Sequence, residues 1–147
     1  MSSDKFMLEA LKEAEIAASE GEVPVGAVIV QNGEIIARAR NNREATADAT
    51  GHAELLAIRE ACRVLGGWHL ESCELYVTLE PCPMCMGAII NSRLGKVVYG
   101  AKDAKAGACG SVIDLRSYPL NHKPQVESGF MKEECAALLT EFFKMKR

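Results

Sequence analysis

The sequence predicts an α/β protein in which helices pack against a layered sheet. Segments with helical periodicity alternate along the chain with short β-rich runs, and this alternation is typical of layered α/β folds. The chain has 147 residues, of which 48% are hydrophobic and 25% are charged. This length and composition are typical of one globular domain with a buried core, so we expect a single domain over 1–147 and exclude disorder and fibres.

The first part of the chain predicts a helix followed by a β-hairpin. Ser3 and Asp4 can cap a helix that runs to about Glu20, because apolar residues recur in it at intervals of three and four. A β-rich run that begins at Val23 is separated from a second run by Asn32-Gly33. This dipeptide strongly favours a two-residue hairpin turn, since both turn positions need positive φ.

The rest of the chain predicts further elements of both kinds, after a polar loop over 41–50. In order they are a helix over 53–65, a strand over 74–79, a helix over 86–91, strands over 96–100 and 125–127, and a helix over 131–147. On the 53–65 helix we expect these residues to face inward: Leu55, Ile58, Ala61, Cys62 and Leu65. On the last helix we expect these: Cys135, Leu138, Leu139, Phe142 and Phe143.

Charge and hydropathy narrow the function classes. The formal net charge is −3 and the pI is near 5.7, so the whole-chain charge does not indicate nucleic-acid binding, although a local basic patch can still bind phosphates. The longest apolar run contains Pro24 and Gly26 and is shorter than the ~20 residues that span a bilayer, so we expect no membrane segment. The first residues include several acidic ones, whereas a signal peptide needs a continuous apolar stretch and a transit peptide contains few acidic residues, so we expect a cytoplasmic protein.

The chemistry is concentrated at the starts of two predicted helices. Cys82 and Cys85 lie three residues apart, which places them on one helical face where N-terminal N–H groups stabilise thiolates, so they can hold a soft divalent cation such as zinc. His52 offers a third ligand and leaves one tetrahedral position for water, which is the arrangement of a catalytic site. Glu54 can take a proton from that water and return it to a leaving group. Residues two apart do not share a helical face, so His52 and Glu54 converge only near an irregular first turn.

Two other interpretations of the cysteines stay open from the residues alone. A Cys-x-x-Cys pair between a strand and a helix is also typical of a thiol-disulfide redox protein. A closed structural zinc site is possible if a fourth ligand comes from one of four residues: His69, Cys73, Cys109 or His122. Otherwise we expect the cysteines outside the motif to be small buried hydrophobic residues and these two histidines to be surface or packing residues.

The combined pattern H-x-E and P-C-x-x-C is the signature of zinc-dependent nucleobase deaminases, so this assignment comes from resemblance and not from spacing. The chain resembles the cytidine-deaminase-like superfamily, and within it the bacterial tRNA-specific adenosine deaminases of the TadA type. Four stretches carry the closer resemblance: EVPVGAV at 22–28, LYVTLEPC at 75–82, VYGAKDAK at 98–105 and ECAALL at 134–139. The resemblance covers nearly the whole chain.

The resemblance implies a three-layer α/β/α fold with a central mixed β-sheet of about five strands, in a homodimeric hydrolase that acts on a C–N bond of a cyclic amidine. It implies conversion of adenosine to inosine at the wobble position of tRNA anticodon loops, a form of RNA editing. One zinc ion per subunit is implied, held by His52, Cys82 and Cys85, with a zinc-activated water and Glu54 as the proton shuttle.

The resemblance also implies a substrate-binding set. Asn41 matches an asparagine that contacts the flipped nucleoside, Asp103 matches an acidic residue near the anticodon-loop sugars, and Ala53 completes the set. Phosphate contacts are expected from five basic residues: Lys102, Lys105, Lys144, Lys146 and Arg147. The alternatives are a deaminase of free guanine, cytosine or a nucleoside, which would use the same zinc and Glu54, and a non-catalytic zinc or redox module.

Overall fold

Five strands form a mixed central sheet in the structure, a computed structural model that describes residues 2–146. In chain order the strands are β1 (Gly26–Gln31), β2 (Glu34–Arg40), β3 (Cys73–Leu79), β4 (Lys96–Ala101) and β5 (Gln125–Ser128). Their spatial order is β2-β1-β3-β4-β5. β1 is antiparallel to both of its neighbours, whereas β3, β4 and β5 run parallel to one another.

The β1–β2 hairpin forms as the sequence predicts. Asn32 and Gly33 have φ angles of 53° and 77°, the left-handed values that a two-residue turn requires. β1 begins at Gly26 and not at Val23, because Pro24 has no N–H to donate to a strand ladder.

Helices cover both faces of the sheet. In chain order they are α1 (Ser2–Ser19), α2 (Arg43–Thr46), α3 (Ala53–Leu65), α4 (Pro83–Asn91) and α5 (Lys132–Met145). α3 and α4 pack on one face, and α1 and α5 pack on the other. The predicted three-layer α/β/α fold with a five-stranded mixed sheet is therefore confirmed. The one-turn helix α2 lies in a segment that we expected to be a polar loop.

Strands β1 and β3 are buried on both sides, with side chains that alternate between the two helical layers. Ile29 and Leu75 belong to the core under α3 and α4, whereas Val28 and Tyr76 belong to the core under α1 and α5. This period of two is the strand pattern, and burial of both faces explains the nearly continuous apolar runs of these strands. None of the described helices is long and apolar enough to cross a membrane.

α1 lies unusually close to β1. A Cβ on Gly26 would lie 2.6 Å from the backbone nitrogen of Ala14 and nearer still to the carbonyl oxygen of Ala10. A glycine is therefore required where the helix crosses the strand, and the alanines on this face of α1 are fully buried.

The predicted inward faces of two helices need correction. The side chains of α3 that are buried form this set: Ala53, Glu54, Ala57, Ile58 and Ala61. Leu65 is 37% exposed and Leu55 and Cys62 are half-buried, because the small alanines and not the leucines face the sheet. On α5, Cys135 is buried as expected, but Phe143 is 48% exposed.

The helix ends differ from expectation by a few residues. α1 ends at Ser19, one residue earlier than predicted, and α5 begins at Lys132. The capping role of Ser3 and Asp4 depends on side chains that lie outside the described part of the structure.

Candidate active site

The three predicted ligands come from the starts of α3 and α4, which lie on the same face of the sheet. His52 directly precedes α3 in an extended conformation (φ −92°, ψ 144°). Cys82 directly precedes α4 in a similar conformation (φ −77°, ψ 173°), and Cys85 lies in the first turn of that helix. Pro83 is favourable at the first helical position, since its fixed φ suits a helix and its missing N–H would have no partner there. β3 thus delivers Cys82 to a helix start that faces the start of α3.

The structure brings the three side chains together. The Nδ1 atom of His52 lies 3.4 Å from Cys85 Sγ and 3.6 Å from Cys82 Sγ. The three donor atoms all lie within 4.8 Å of one another. Tetrahedral zinc with Zn–S near 2.3 Å and Zn–N near 2.0–2.1 Å separates a sulfur and a nitrogen ligand by about 3.5 Å. Two sulfurs and one imidazole nitrogen at these separations fit a soft divalent cation.

Hydrogen bonds inside this cluster shift the pKa values of its three side chains. A hydrogen bond from Cys85 lowers the pKa of the Cys82 thiol to about 4, and His52 lowers it further against the effect of burial. The same Cys82–Cys85 bond, together with burial, raises the pKa of Cys85. The pKa of His52 is raised, chiefly by its hydrogen bond to Cys82. Cys82 is thus stabilised as a thiolate, next to a proton on Cys85 and a proton on His52. A metal ion that binds here can replace these two protons.

Glu54 lies beside the cluster in the first turn of α3 and is 4% exposed. His52 is extended and precedes the helix, so the side chains of His52 and Glu54 can lie close together although the residues are two apart. The sequence predicted that they converge only near such an irregular helix start. Burial raises the pKa of Glu54 to about 7, although the charge on His52 and a hydrogen bond with Cys85 oppose the rise. A carboxyl group in that range can both accept and release a proton near neutral pH.

Asn41 and Ala53 connect the end of the hairpin to the start of α3. The backbone N–H of Ala53 donates to Asn41 Oδ1 at 2.8 Å, and both residues are buried. The side chain of Asn41 therefore satisfies an N–H at the helix start that would otherwise lack a partner. This bond fixes Asn41 next to the His52–Glu54 segment.

Asp103 lies in the segment that follows β4, which we call the 102–111 loop. Its Oδ1 atom accepts hydrogen bonds from the backbone N–H groups of Lys105 and Ala106 at 3.0 and 3.1 Å. Asp103 is half-buried, so part of its side chain stays open to solvent. The described basic residues of the predicted phosphate-binding set are all exposed: Lys102, Lys105, Lys144 and Lys146. Arg147 lies outside the described residues.

A cavity of about 520 Å³ opens beside Asn41, between α2 and the end of α5. Its lining combines aromatic rings, cations and carboxylates. The lining residues include Glu22, Asn41, Arg43, Phe142, Phe143 and Lys146. Phe143, whose exposure the sequence did not predict, lies on the wall of this cavity.

Three buried carboxylates were not predicted from the sequence: Glu13, Glu22 and Glu80. Glu80, at the end of β3, is 1% exposed, and Glu22, before β1, is 2% exposed. Glu22 accepts hydrogen bonds from the backbone N–H groups of Glu44 and Ala45, which stabilises the start of α2. For Glu80 the available signal was an acidic residue directly after a mostly apolar strand and directly before Pro81-Cys82.

Hydrogen bonds hold the ionised form of Glu80. Burial alone would raise the pKa of Glu80, but hydrogen bonds from Ser111, Asp103 and Cys109 hold it below its usual value. The carboxylate is therefore a fixed internal acceptor.

The closed structural zinc site has no support among the described residues, where the three-residue cluster gains no fourth protein ligand. His69 stacks on Trp68 with ring centroids 3.8 Å apart, and His122 Nε2 lies 2.6 Å from the carbonyl oxygen of Leu94. Cys109 donates to the sulfur of Met86 and is buried, as is Cys73. These residues pack elsewhere in the fold.

Comparison with known proteins agrees with this geometry. The chain is 53% identical over 143 residues to the tRNA-specific adenosine deaminase of Bacillus subtilis (strain 168), a match that covers 97% of this chain and 89% of that protein. A solved structure from a study of A-to-I editing by tRNA:A34 deaminases at the wobble position has a TM-score of 0.90 and 46% identity, over 92% of this chain and 99% of that one. A guanine deaminase structure from Bacillus subtilis has a TM-score of 0.64 and 36% identity, over 80% and 85%.

The sheet topology and the histidine–cysteine–cysteine cluster define a deaminase with the cytidine-deaminase-like fold. The family resemblance predicted from the motifs is confirmed. The chain belongs to the MafB19-like deaminase family, whose model matches residues 1–147.

Proposed function

We propose that this protein hydrolytically deaminates adenosine to inosine at the wobble position of tRNA anticodon loops. One observation carries the proposal: a buried carboxylate lies beside three residues that could hold a metal ion, in a chain 53% identical, over nearly its full length, to a tRNA-specific adenosine deaminase. The reaction adds water across the N1–C6 bond of adenine and then breaks the bond from C6 to the amino group, which leaves as ammonia, so it needs an activated water and a group that moves protons.

His52, Cys82 and Cys85 would hold one zinc ion per subunit. Zinc bound by three protein ligands lowers the pKa of a coordinated water to near neutrality and so supplies the nucleophile. Two thiolates and a neutral imidazole balance the charge of this ion and are the ligand types that it prefers.

Glu54 would move the protons. Its carboxylate takes a proton from the attacking water and passes it to N1 of adenine. It then takes the second proton from the hydroxyl group now on C6 and gives it to the amino group, which leaves as ammonia. Its burial keeps the carboxylate away from bulk water, so the proton it holds goes to the substrate.

Asn41, Ala53 and Asp103 would contact the substrate. Asn41 is held beside the His52–Cys82–Cys85 cluster by Ala53, and Asp103 belongs to a loop with two exposed lysines, Lys102 and Lys105. The base must leave its stack to reach the site, and an anticodon loop lowers that cost because its bases are already unpaired. The cavity beside Asn41 would hold nucleotides of this loop against the rings of Phe142 and Phe143.

We also propose that the enzyme is a cytoplasmic homodimer. Both statements extend from the family resemblance: the substrate, tRNA, is a cytoplasmic molecule in bacteria, and the branch of the superfamily that this chain resembles is homodimeric.

A deaminase of free guanine is the second candidate function. It would use the same cation and the same carboxylate, and the 36% identity to a guanine deaminase structure favours it over other free-base reactions. Higher identity and a higher TM-score favour the tRNA reaction.

The test offers the zinc-loaded protein four substrates: an anticodon stem-loop with a wobble adenosine, free adenosine, guanine and cytosine. We expect inosine in the stem-loop and little turnover of the free compounds. A stem-loop with guanosine at the wobble position is the matched control. Turnover of guanine alone would replace the proposal with the second candidate, and no turnover of any substrate would contradict both.

A further inference from the structure

Glu80 is a buried carboxylate that the deamination chemistry does not use. It is the last residue before Pro81-Cys82, and both of its oxygens accept hydrogen bonds from the 102–111 loop. Oε1 accepts from the Asp103 N–H at 3.0 Å and from the Ser111 hydroxyl. Oε2 accepts from the N–H groups of Cys109 and Ser111 at 2.9 and 3.1 Å. The carboxylate thus binds the beginning and the end of the loop at once.

The loop closes tightly around this side chain. A Cβ on Gly107 would overlap the Glu80 carboxylate, so the middle of the loop can approach only because a glycine stands there. The N–H of Ala108 donates to the Pro81 carbonyl at 2.8 Å, and the Glu80 N–H donates to the Ala101 carbonyl at 2.9 Å. The segment that leads to the cysteine ligand and the loop that carries Asp103 are therefore joined by both backbone and side-chain bonds.

We propose that Glu80 is a positioning residue: its carboxylate holds the 102–111 loop in the conformation that presents Lys102, Asp103 and Lys105 to RNA. The inference rests on the proposed function, because it assigns a purpose to this loop. Hydrogen bonds to a charged acceptor are about twice as strong as neutral ones, and inside the protein they are shielded from water. Four of them fix a loop whose outer side chains are exposed. Since Glu80 precedes Cys82 by two residues, it also fixes the loop relative to the metal ligands.

The test compares Glu80→Gln with the parent protein and with Glu13→Gln. Glutamine keeps the size of the side chain but replaces one acceptor oxygen with a donor, which faces N–H groups of the loop. Glu13 is a matched control, because it is a buried carboxylate (7% exposed) that pairs with Arg40 and does not contact the loop. The readouts are amide hydrogen exchange at Asp103, Cys109 and Ser111, zinc content, and kcat and KM on the wobble-adenosine stem-loop.

For Glu80→Gln we expect faster exchange at these three amides, unchanged zinc content, and a KM for the stem-loop about tenfold higher with kcat within about twofold. Glu13→Gln should leave all of these readouts at the parent values. A fall in kcat with an unchanged KM, or unchanged exchange at the three amides, overturns the proposal.

Gly107→Ala is the second variant, because its Cβ would meet the Glu80 carboxylate and separate it from the loop without removing either acceptor oxygen. It should raise KM and amide exchange in the same way. If Glu80→Gln does not fold, Gly107→Ala decides the question by the same readouts. If the parent protein does not deaminate the stem-loop, the proposed function fails, and the exchange data still determine whether Glu80 anchors the loop.

Discussion

Replacing Gly26 with alanine tests how closely α1 packs on β1. The new Cβ would lie 2.6 Å from the Ala14 nitrogen, about 0.8 Å short of the 3.4 Å at which ordinary contact begins, and still closer to the Ala10 oxygen. The obstructing atoms are helix backbone, so α1 itself must move away from the sheet. Overpacking a core costs about 1–3 kcal/mol, and for a backbone obstruction we expect about 3 kcal/mol less free energy of unfolding. This corresponds to a melting temperature about 10 °C lower.

The measurement is urea and thermal unfolding followed by far-ultraviolet circular dichroism. Gly67→Ala is the matched control, because a Cβ there meets no atom within 4 Å, and its free energy of unfolding should change by less than about 0.5 kcal/mol. A loss below about 1 kcal/mol for Gly26→Ala, with the helix content unchanged, would refute the reasoning that α1 cannot adjust locally.

Three further predictions concern the site. Glu54→Gln should retain the metal while its deamination rate falls by about 10²–10⁴, and a rate within tenfold of the parent would remove Glu54 from proton transfer. Cys85→Ala should lower the zinc content measured by native mass spectrometry, and full zinc content in the variant would contradict the ligand assignment. Removing zinc from the parent protein with a chelator should lower its melting temperature reversibly, because an ion that binds the folded state stabilises it. Phe143→Ala should weaken stem-loop binding severalfold, while the free energy of unfolding changes by less than about 0.5 kcal/mol. The control is Met145→Ala, which should change neither quantity, because Met145 is 81% exposed and is not among the residues that line the cavity. Equal effects of both substitutions would contradict an RNA-binding cavity.

Local patterns predicted most of the fold. The Asn32-Gly33 turn, the start of α3 after His52 and its end before Gly66 all follow from backbone preferences of a few residues, and all appear in the structure. Which face of each helix packs against the sheet was less predictable. Alanines are weakly hydrophobic, so nothing in the residue pattern favoured them over leucines, yet their small size lets α3 lie close to the sheet. That choice depends on distances between elements and not on periodicity.

The residues of the candidate site were likewise predictable only in part. The side chains of His52, Cys82 and Cys85 could be grouped from the sequence because metal ligands have characteristic types and spacings, and the structure brings their donor atoms within 4.8 Å. The roles of Glu22 and Glu80 could not be predicted, because each accepts hydrogen bonds from backbone groups more than 20 residues away. Backbone donors have no sequence signature, so only the fold reveals such partners.

The parallel pairing of β3 with β4 has a consequence for how new specificities can be built on this fold. Both strands end at the same edge of the sheet, so the cysteine segment and the 102–111 loop leave the core side by side, while α3 supplies His52 and Glu54 from elsewhere. A designer could therefore exchange the loop after Ala101 for one of different length or charge without altering the candidate metal ligands. The graft has one structural requirement: it must offer backbone donors to both oxygens of Glu80, since an unsatisfied carboxylate buried to this extent would open the edge of the sheet to water.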